Sequence, residues 1–225
     1  MTKFTIPTTF MGTDTKEAYD RVINAKSPEP VSTPTTNAGK IDGFIYVPTA
    51  NLHFSRERTH LNVNWNDTHG LLATKNLRMP TIEEFRITLK YCKESSDREL
   101  KELYDEITQV RDPWRAEHLD AYFEKRKDGL YILTENKTKP EKLESCLMKD
   151  KTPGVSLDEW ISGSKITNQG LPNSKIAKGE LYYWSPRDKF VAGFYAYSDR
   201  ANLCCYWGPS DANPGLGVYA VTQGV

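Results

Sequence analysis

The chain lacks an excess of either charge, and it lacks any long apolar run. Lys and Arg together number 30, Asp and Glu also number 30, and no basic block is interleaved with aromatic residues. A neutral chain of this kind has no general attraction for nucleic acid or for an anionic membrane surface. Met1–Phe10 does not have the pattern of a signal peptide, and no apolar window has the length of a membrane span. We therefore expect no nucleic-acid partner, no membrane insertion and synthesis in a cytoplasm.

Cysteine and metal-ligand motifs are also scarce. The 225 residues include four Cys and four His, none with the spacing of zinc ligands. Cys204 and Cys205 are neighbours, so in a strand their side chains would point to opposite faces and would not bond to each other. The sequence contains no Gly-rich phosphate loop and no H-E-x-x-H motif. These absences predict free thiols, no metal, no cofactor and no enzymatic activity.

The first 40 residues differ in composition from the remainder. Residues 26–40 are rich in Pro, Ser and Thr and have almost no apolar side chains to bury, which is typical of a linker or an extended arm. Over the whole chain, 38% hydrophobic and 27% charged residues are the proportions of a globular protein. We expect an N-terminal arm at residues 1–40 and one folded domain at residues 41–225.

Helix signals are concentrated in the middle of the chain. Three residue pairs have the spacing of a capping box, in which the two side chains satisfy the first N–H groups of a helix: Thr81 with Glu84, Ser96 with Glu99, and Ser156 with Glu159. Apolar residues recur at helical intervals after each pair. Asp112 and Pro113 predict the start of a further helix, in which Leu119, Tyr122 and Phe123 share one face.

Short apolar or aromatic segments bounded by turn residues predict strands. Upstream of the helices they are residues 43–48, 52–54 and 61–65, and residues 129–134 form another. From Gly179 onward the strands are rich in aromatic residues and are predicted near residues 180–186, 189–199, 201–207 and 216–221. The predicted fold class is α+β, with a helical middle and a small antiparallel C-terminal sheet.

Two of the C-terminal strands have faces of different character. Alternation places one set of side chains on one face: Phe190, Ala192, Phe194, Ala196, Leu203 and Cys205. The other face receives Val191, Gly193, Tyr195, Tyr197, Asn202, Cys204 and Tyr206. The first set suits a core, whereas the second has the aromatic and hydrogen-bonding composition of a binding surface. A half-buried sheet face has the same pattern, so periodicity alone leaves both interpretations open.

A resemblance to a known family favours the binding surface. The segment Phe194–Val221 resembles the variable region of proteins diversified by diversity-generating retroelements, and its G-P-S and L-G motifs (Gly208–Ser210 and Leu216–Gly217) are similar to the end of a phage receptor-binding tip protein. Gly43–Pro48 resembles the opening strand of the formylglycine-generating-enzyme family. Arg78–Phe85 resembles that family's R-L-P-T-x-x-E-W helix start. Together these segments are similar to the archaeal and archaeal-virus branch of the variable proteins.

The resemblance implies a C-type-lectin-like fold of the formylglycine-generating-enzyme subtype, with flanking helices, a helical insertion at about residues 94–176 and a variable region at about residues 193–221. It implies scaffold positions at Phe194, Ala196, Ser198, Ala201, Leu203, Cys205, Pro209, Leu216, Gly217 and Val218. It implies diversified, ligand-facing positions at Tyr195, Tyr197, Asp199, Arg200, Asn202, Cys204, Tyr206, Trp207, Asp211 and Asn213. Tyr219 departs from the family pattern, which usually has Arg at this position.

The function that this resemblance implies is binding of a protein or glycan ligand on another cell or particle. The protein would be associated with a virion or displayed on a cell surface by assembly, and the sequence leaves its oligomeric state open. The alternative is a structural or assembly protein, in which the aromatic face is a permanent subunit interface. A permanent subunit interface would also explain the aromatic composition of this face.

Two further interpretations receive little support from the sequence. A redox or copper site at Cys204 or Cys205 would need two thiolates that converge, and adjacent strand residues diverge. The triplet Trp65-Asn66-Asp67 is known from calcium-binding lectins, but it lies upstream of the predicted helices, whereas in those lectins it lies near the C-terminus. A calcium site needs several converging oxygen atoms, and no partner loop is present in the sequence.

Overall fold

The computed structural model describes residues 39–110, 112–197 and 199–224, together with the backbone of two short paired strands, β1 (Thr9–Phe10) and β2 (Thr13–Asp14). The side chains of residues 152, 153 and 197 lie outside this description. Residues 1–37 and 38–225 form two separate compact units. Most of the predicted N-terminal arm lies outside the described residues. The fold below is that of the second unit.

The described helices are α1 (Trp65–Ala73), α2 (Ile82–Glu94), α3 (Arg98–Gln109) and α4 (Leu157–Ser162), and a single 3-10 turn spans Pro48–Ala50. The capping box at α2 is confirmed, because Thr81 accepts a hydrogen bond from the N–H of Glu84 and the Glu84 carboxylate accepts one from the N–H of Thr81. None of the described helices is both long and apolar enough to cross a bilayer.

The caps of the other helices agree with the sequence only in part. Ser156 caps α4 as predicted. The predicted cap of α3 at Ser96 is wrong by one residue, since the side chain of Asp97 accepts the hydrogen bond from the N–H of Glu99. Helix α1 was not predicted, and it begins at Asn64, whose side chain accepts a hydrogen bond from the N–H of Asp67.

Eleven strands belong to the second unit among the described residues: β3 (Phe44–Val47), β4 (Leu52–Ser55), β5 (Arg115–Arg126), β6 (Gly129–Leu133), β7 (Glu141–Lys142), β8 (Lys151–Val155), β9 (Leu181–Trp184), β10 (Val191–Tyr197), β11 (Arg200–Trp207), β12 (Leu216–Gly217) and β13 (Val221–Gln223). The larger sheet has the order β7-β6-β5-β10-β11-β9-β8, with β12 beside β5, and the smaller has the order β13-β4-β3. The architecture is mixed α+β.

The middle of the chain differs from its prediction. The helix expected after Asp112 and Pro113 is wrong, because Arg115–Arg126 forms β5, which pairs with β10, β6 and β12. The segment 94–176 is therefore not a helical insertion, since it supplies four strands to the larger sheet along with α3 and α4. The predicted strand at residues 61–65 is also wrong, as these residues form a turn that leads into α1.

The sequence predicts an antiparallel sheet, but the larger sheet also contains parallel pairs. β9 runs parallel to β11, and β12 runs parallel to β5. The last predicted strand, at residues 216–221, is divided between β12 and β13, which belong to different sheets. Parallel neighbours need long connections, and the chain between β9 and β11 supplies one by way of β10.

The hydrophobic core lies between one face of the larger sheet and α2, α3 and α4. Phe194 of β10 is fully buried, with the Phe85 ring 5.3 Å away and the Trp160 ring stacked at 6.0 Å. Tyr219 is also fully buried, and its ring stacks on Phe54 at 5.2 Å. These three helices thus cover this face of the sheet.

A buried polar network holds the hydroxyl group of Tyr219 in place. Its hydroxyl accepts a hydrogen bond from Arg115 at 3.0 Å and donates one to Glu106 at 3.1 Å. Arg115 also forms a buried ion pair with Glu117, and both side chains are almost inaccessible to solvent. A buried charge needs such partners, because an unpaired one would cost several kcal/mol.

Candidate functional site

Strands β10 and β11 direct their side chains to two faces. In the antiparallel register Phe194 lies opposite Leu203, and Tyr195 lies opposite Asn202. Phe194 and Leu203 are fully buried in the core. Tyr195 alternates with Phe194 and is half-buried on the opposite face, which we call the outer face. The two faces predicted from the sequence are therefore present in these strands.

A β-bulge changes the alternation at the end of β11. Gly193 pairs with Cys204, but two residues earlier Val191 pairs with Trp207, so β11 has one extra residue between these pairs. A bulge of this kind re-aims the side chains that follow it. Trp207 consequently lies on the outer face, where strict alternation would have placed it in the core with Leu203.

Four aromatic side chains meet on the outer face above β5 and β10, and we call them the Trp207 cluster: Trp114, His118, Tyr195 and Trp207. Trp207 stacks on Tyr195 with ring centroids 5.3 Å apart and an interplanar angle of 19°. Trp114 lies 6.5 Å from Tyr195 and 6.4 Å from Trp207. Gly193 leaves room for the stack, because a Cβ atom there would lie 2.5 Å from Cζ3 of Trp207.

His118 is the buried member of this cluster. Its side chain is 1% exposed, its ring meets Trp207 edge-on at 6.4 Å, and its Nε2 lies 3.1 Å from the carbonyl oxygen of Val63. A carbonyl oxygen only accepts, so Nε2 carries the proton of the neutral ring. Burial lowers the pKa of His118 to about 4. The Trp207 cluster is therefore uncharged at neutral pH.

A second group of side chains lies along β9 and the end of β11, and we call it the Tyr206 cluster: Trp184, Arg187, Phe190 and Tyr206. Tyr206 meets Trp184 edge-on at 5.7 Å and Phe190 at 6.4 Å. The guanidinium carbon of Arg187 lies 4.4 Å from the centroid of Tyr206, a cation–π geometry. Asp150 holds Arg187 in place through a 2.9 Å ion pair.

Arg200 and Asp199 lie at the turn between β10 and β11. The Arg200 guanidinium lies 3.9 Å from the centroid of the Tyr182 ring and is ion-paired with Asp199. The Asp199 side chain is 65% exposed and that of Arg200 is 28% exposed. Side chains so placed can exchange these local partners for groups of a ligand at little cost, because exposed ion pairs contribute little stability.

Two predicted ligand-facing residues are buried in the structure. Asn202 is 3% exposed and donates a hydrogen bond to the Arg200 carbonyl oxygen, and Cys204 is 1% exposed. Burial raises the pKa of the Cys204 thiol to about 12. Both lie below the aromatic side chains, so they cannot reach a ligand in this conformation. Their backbone position on the outer face was predicted correctly from alternation, but not their accessibility.

Asp211 and Asn213 lie in the exposed loop between β11 and β12. The Asp211 carboxylate accepts a hydrogen bond from the N–H of Gly208 at 2.9 Å, and Asn213 accepts one from the N–H of Gly215 at 2.9 Å. Both side chains therefore hold the loop in shape while they remain exposed. A substitution at either position changes the loop as well as its surface.

The structure brings the predicted residues together to different degrees. Tyr195, Arg200, Tyr206 and Trp207 lie on or beside the outer face, with Asp199 at its edge. The backbone of Tyr197 belongs to β10, whereas its side chain and the predicted scaffold residue Ser198 lie outside the described residues. The other predicted scaffold positions, which lie on β10, β11 and β12 or directly after β12, are buried: Phe194, Ala196, Ala201, Leu203, Cys205, Leu216, Gly217 and Val218. Pro209 is half-buried in the loop.

Several residues of this face were not predicted. Trp114 and His118 come from the segment for which the sequence predicts a helix, and Tyr182 and Trp184 come from β9, next to β11 in the sheet. A period of two in β5 was the available signal, because Leu119, Ala121 and Phe123 are buried apolar residues that alternate with polar or aromatic ones: His118, Asp120 and Tyr122.

The alternative chemical sites have no geometric basis in the described residues. Trp65, Asn66 and Asp67 form the first turn of α1, and no group of three or more His, Cys, Asp or Glu among the described residues could hold a metal ion. All four cysteines are free thiols. Cys205 is fully buried, and burial raises the pKa of its thiol well above the usual range, so it is not poised as a thiolate.

Comparisons with protein-family models, with curated proteins and with solved structures find no match for this chain. The resemblance to variable proteins of diversity-generating retroelements therefore remains a prediction. The mixed α+β architecture and the aromatic outer face are properties of the chain itself, and they do not depend on that resemblance.

Proposed function

We propose that this protein binds a protein or glycan ligand through the outer face of β10 and β11, and that this face is diversified on a constant scaffold. The scaffold would be a C-type-lectin-like fold, and the protein would be carried on a virion or a cell surface. No catalytic step is part of this proposal. Tyr195, Tyr206 and Trp207 would supply contact area, and Asp199 and Arg200 would set specificity.

The main support is that adjacent residues of β10 lie in different environments, one in the core and the next on the outer face. Phe194 is fixed in the core by Phe85 and Trp160, whereas its neighbour Tyr195 lies on the outer face against Trp207. A side chain that lies on the outer face, as that of Tyr195 does, can be exchanged while the backbone stays in place. Large amphipathic rings held by packing also lose little entropy on binding, which is why Tyr and Trp dominate adaptable binding surfaces.

The residue types on the face support diversification. An Asn codon that is altered at both of its adenines can encode Tyr, Asn, Asp, Cys, Arg or Ser, and these types include most of the predicted variable positions. Trp207 cannot arise from that codon and would need a different template codon. The burial of Asn202 and Cys204 adds a restriction, because only small side chains fit at these two positions.

The experiment is a comparison of two gene libraries of the full chain. One library varies the outer-face positions Tyr195, Arg200, Tyr206 and Trp207, and the matched library varies the core positions Phe194, Ala201, Leu203 and Cys205. The proposal predicts that most clones of the first library are folded, as measured by protease resistance, and that few of the second are. Equal loss of folded clones in both libraries would contradict a display face.

The assembly alternative is tested by the size of the protein in solution. If the outer face is a permanent subunit interface, the wild-type chain forms an oligomer that Tyr206→Ala dissociates, because large aromatic side chains dominate such interfaces. The display proposal predicts that light scattering after size-exclusion chromatography gives the same mass for the wild type and for Tyr206→Ala. A change of mass would favour the assembly protein.

A further inference from the structure

A cavity of about 380 Å³ lies beside the Trp207 cluster, outside β10 and β11. Its walls come from α1, from β5 and from the end of β6, and they include Trp65, His69, Asp120, Tyr122 and Glu135. Trp65 is held by a 2.8 Å hydrogen bond from its indole N–H to the Leu119 carbonyl oxygen. None of the wall residues belongs to the predicted variable region, so the cavity is constant if that region is diversified.

Two of the wall residues each have a buried polar atom with no hydrogen-bond partner among the described residues: Oδ1 of Asp120 and Nε2 of His69. They face each other across 3.8 Å, and the Asp120 side chain is fully buried. The other oxygen of Asp120 accepts a hydrogen bond from the N–H of Glu135 at 2.8 Å. A buried polar atom without a partner is costly, so a partner for this pair is expected in the functional protein.

The proton on His69 follows from its second contact. Nδ1 of His69 lies 2.8 Å from Oε2 of Glu135, and an ionised carboxylate only accepts hydrogen bonds. In the neutral imidazole Nδ1 therefore carries the proton, and Nε2 is left as an acceptor. Above neutrality, where the Asp120 carboxyl group is ionised, its Oδ1 is an acceptor as well. In that state the missing partner must donate to two acceptors at once.

The charge around the cavity favours a cation. Asp120 and Glu135 are two carboxylates, and the guanidinium of Arg78 is engaged by both oxygens of Glu84. Burial raises the pKa of Asp120 to about 7, so this carboxylate is largely ionised only above neutrality when the cavity is empty. A cation that bound here would hold it in the ionised form.

We propose that this cavity binds a primary ammonium group at the end of an unbranched aliphatic chain. The ammonium donates to Asp120 and His69, and its charge is balanced by Asp120 and Glu135. The aliphatic chain lies against Trp65 and Tyr122, whose ring centroids are 6.2 Å apart. Aromatic walls next to carboxylates are a favourable setting for an alkylammonium ion. The proposal does not depend on whether β10 and β11 are diversified.

The test is a titration of the full ¹⁵N-labelled chain at about pH 8 with n-butylammonium chloride, read from the indole N–H signal of Trp65 in two-dimensional NMR spectra. A fragment of this size is expected to bind with a Kd on the order of 1–10 mM. The uncharged analogue 1-butanol has nearly the same shape and is the matched control. Equal binding of the alcohol, or no saturable shift with the amine, would overturn the proposal.

Two variants locate the binding site. Asp120→Asn keeps the acceptor for the N–H of Glu135 and removes the charge, and we expect a loss of affinity of about tenfold or more, since charge-assisted hydrogen bonds are the strong ones. Glu135→Gln, at the exposed edge, is expected to lose roughly threefold. Glu124→Gln, at an exposed carboxylate on the strand that carries Asp120, is the control and should bind as the wild type does. Unchanged affinity in both cavity variants would refute the site.

The source of the ammonium is distinguished by two further ligands. Nα-acetyl-lysine-N-methylamide represents the lysine side chain of a protein, and putrescine represents a free polyamine. Tighter binding of the lysine derivative would identify a protein ligand, and tighter binding of putrescine a small metabolite; each result supports the ammonium site. Failure of both to compete with n-butylammonium would contradict it. The two gene libraries test the outer face separately, so failure of one proposal leaves the other standing.

Discussion

Trp207 lies flat against Tyr195, with ring centroids 5.3 Å apart, and the stack fills the space above Gly193. The three residues lie on the outer face of neighbouring strands, and the bulge between Val191 and Gly193 is what brings Trp207 there. The arrangement explains how two successive aromatic residues, Tyr206 and Trp207, can both serve one surface.

We predict that Gly193→Ala displaces Trp207 from its stack. The new methyl group would lie 2.5 Å from Cζ3 of Trp207, and such overpacking costs about 1–3 kcal/mol in the free energy of unfolding. In a Trp207→Ala background the same substitution should cost less than about 1 kcal/mol, because the backbone oxygen of Glu117, at 3.0 Å, is then the remaining close contact. Urea denaturation of the four proteins measures the difference; additive costs would show that the ring does not occupy this position.

Adjacent residues of β10 should differ sharply in their contribution to stability. Phe194→Ala removes a fully buried ring and should lower the free energy of unfolding by about 3–5 kcal/mol. Tyr195→Ala removes a half-buried ring and its contacts with Trp207 and Trp114, and should cost about 1–2 kcal/mol. Chemical denaturation of both variants provides the comparison. A Tyr195→Ala cost as large as that of Phe194→Ala would mean that the outer face is part of the core.

The stability of the protein should depend on pH through Asp120. Burial raises its pKa from 3.8 to about 7, so the folded state binds the proton more tightly than the unfolded state. The stabilising contribution is fully present below pH 3.8 and is lost as the pH rises through about 7. Asp120→Asn cannot titrate, so its free energy of unfolding relative to the wild type should rise by roughly 2 kcal/mol between about pH 5 and pH 8.

Urea denaturation at the two pH values measures this effect. His118, whose pKa is lowered to about 4, titrates in both proteins and cancels in the difference. The exposed Glu124→Gln variant should differ from the wild type by less than about 0.5 kcal/mol at either pH. A constant difference between Asp120→Asn and the wild type would show that Asp120 has an ordinary pKa.

Thiol accessibility tests the burial of Cys204. Cys146 is exposed, whereas Cys92, Cys204 and Cys205 are buried. We expect a thiol reagent at about pH 8 to modify Cys146 rapidly in the native protein and the other three only after denaturation, because the thiolate is the reactive form and burial suppresses it. A Cys146→Ser variant should show almost no rapid reaction. Rapid reaction of that variant would show that at least one of Cys92, Cys204 and Cys205 is accessible to the reagent.

Local signals predicted the parts of the fold that local interactions determine. The capping box of Thr81 and the N-cap of Ser156 each involve residues three apart, and both helices begin where these pairs predict. The two faces of β10 and β11 follow from alternation, which any strand obeys. The buried position of Phe194 and the half-buried position of Tyr195 could therefore be predicted from the sequence.

Non-local pairing determined what the sequence did not predict. β5 contains good helix formers and apolar residues spaced by three and four, yet it pairs with β10, β6 and β12, which are distant in the chain. Tertiary context of this kind overrides local propensity. The bulge in β11 and the burial of Asn202 also depend on neighbouring strands. For the same reason the cavity around Asp120 could not be predicted.

The central claim is that the outer face of this chain is a diversified display surface, and the most direct measurement is the sequence of the DNA downstream of its gene. Our account predicts a near-copy of the codons for Gly193–Val221 that differs at template adenines, followed by a reverse transcriptase gene. The copy would mark Tyr195, Tyr206 and Trp207 as variable and Phe194 as constant. A flanking sequence with neither feature would contradict diversification and would leave the aromatic face as an ordinary packing or subunit surface.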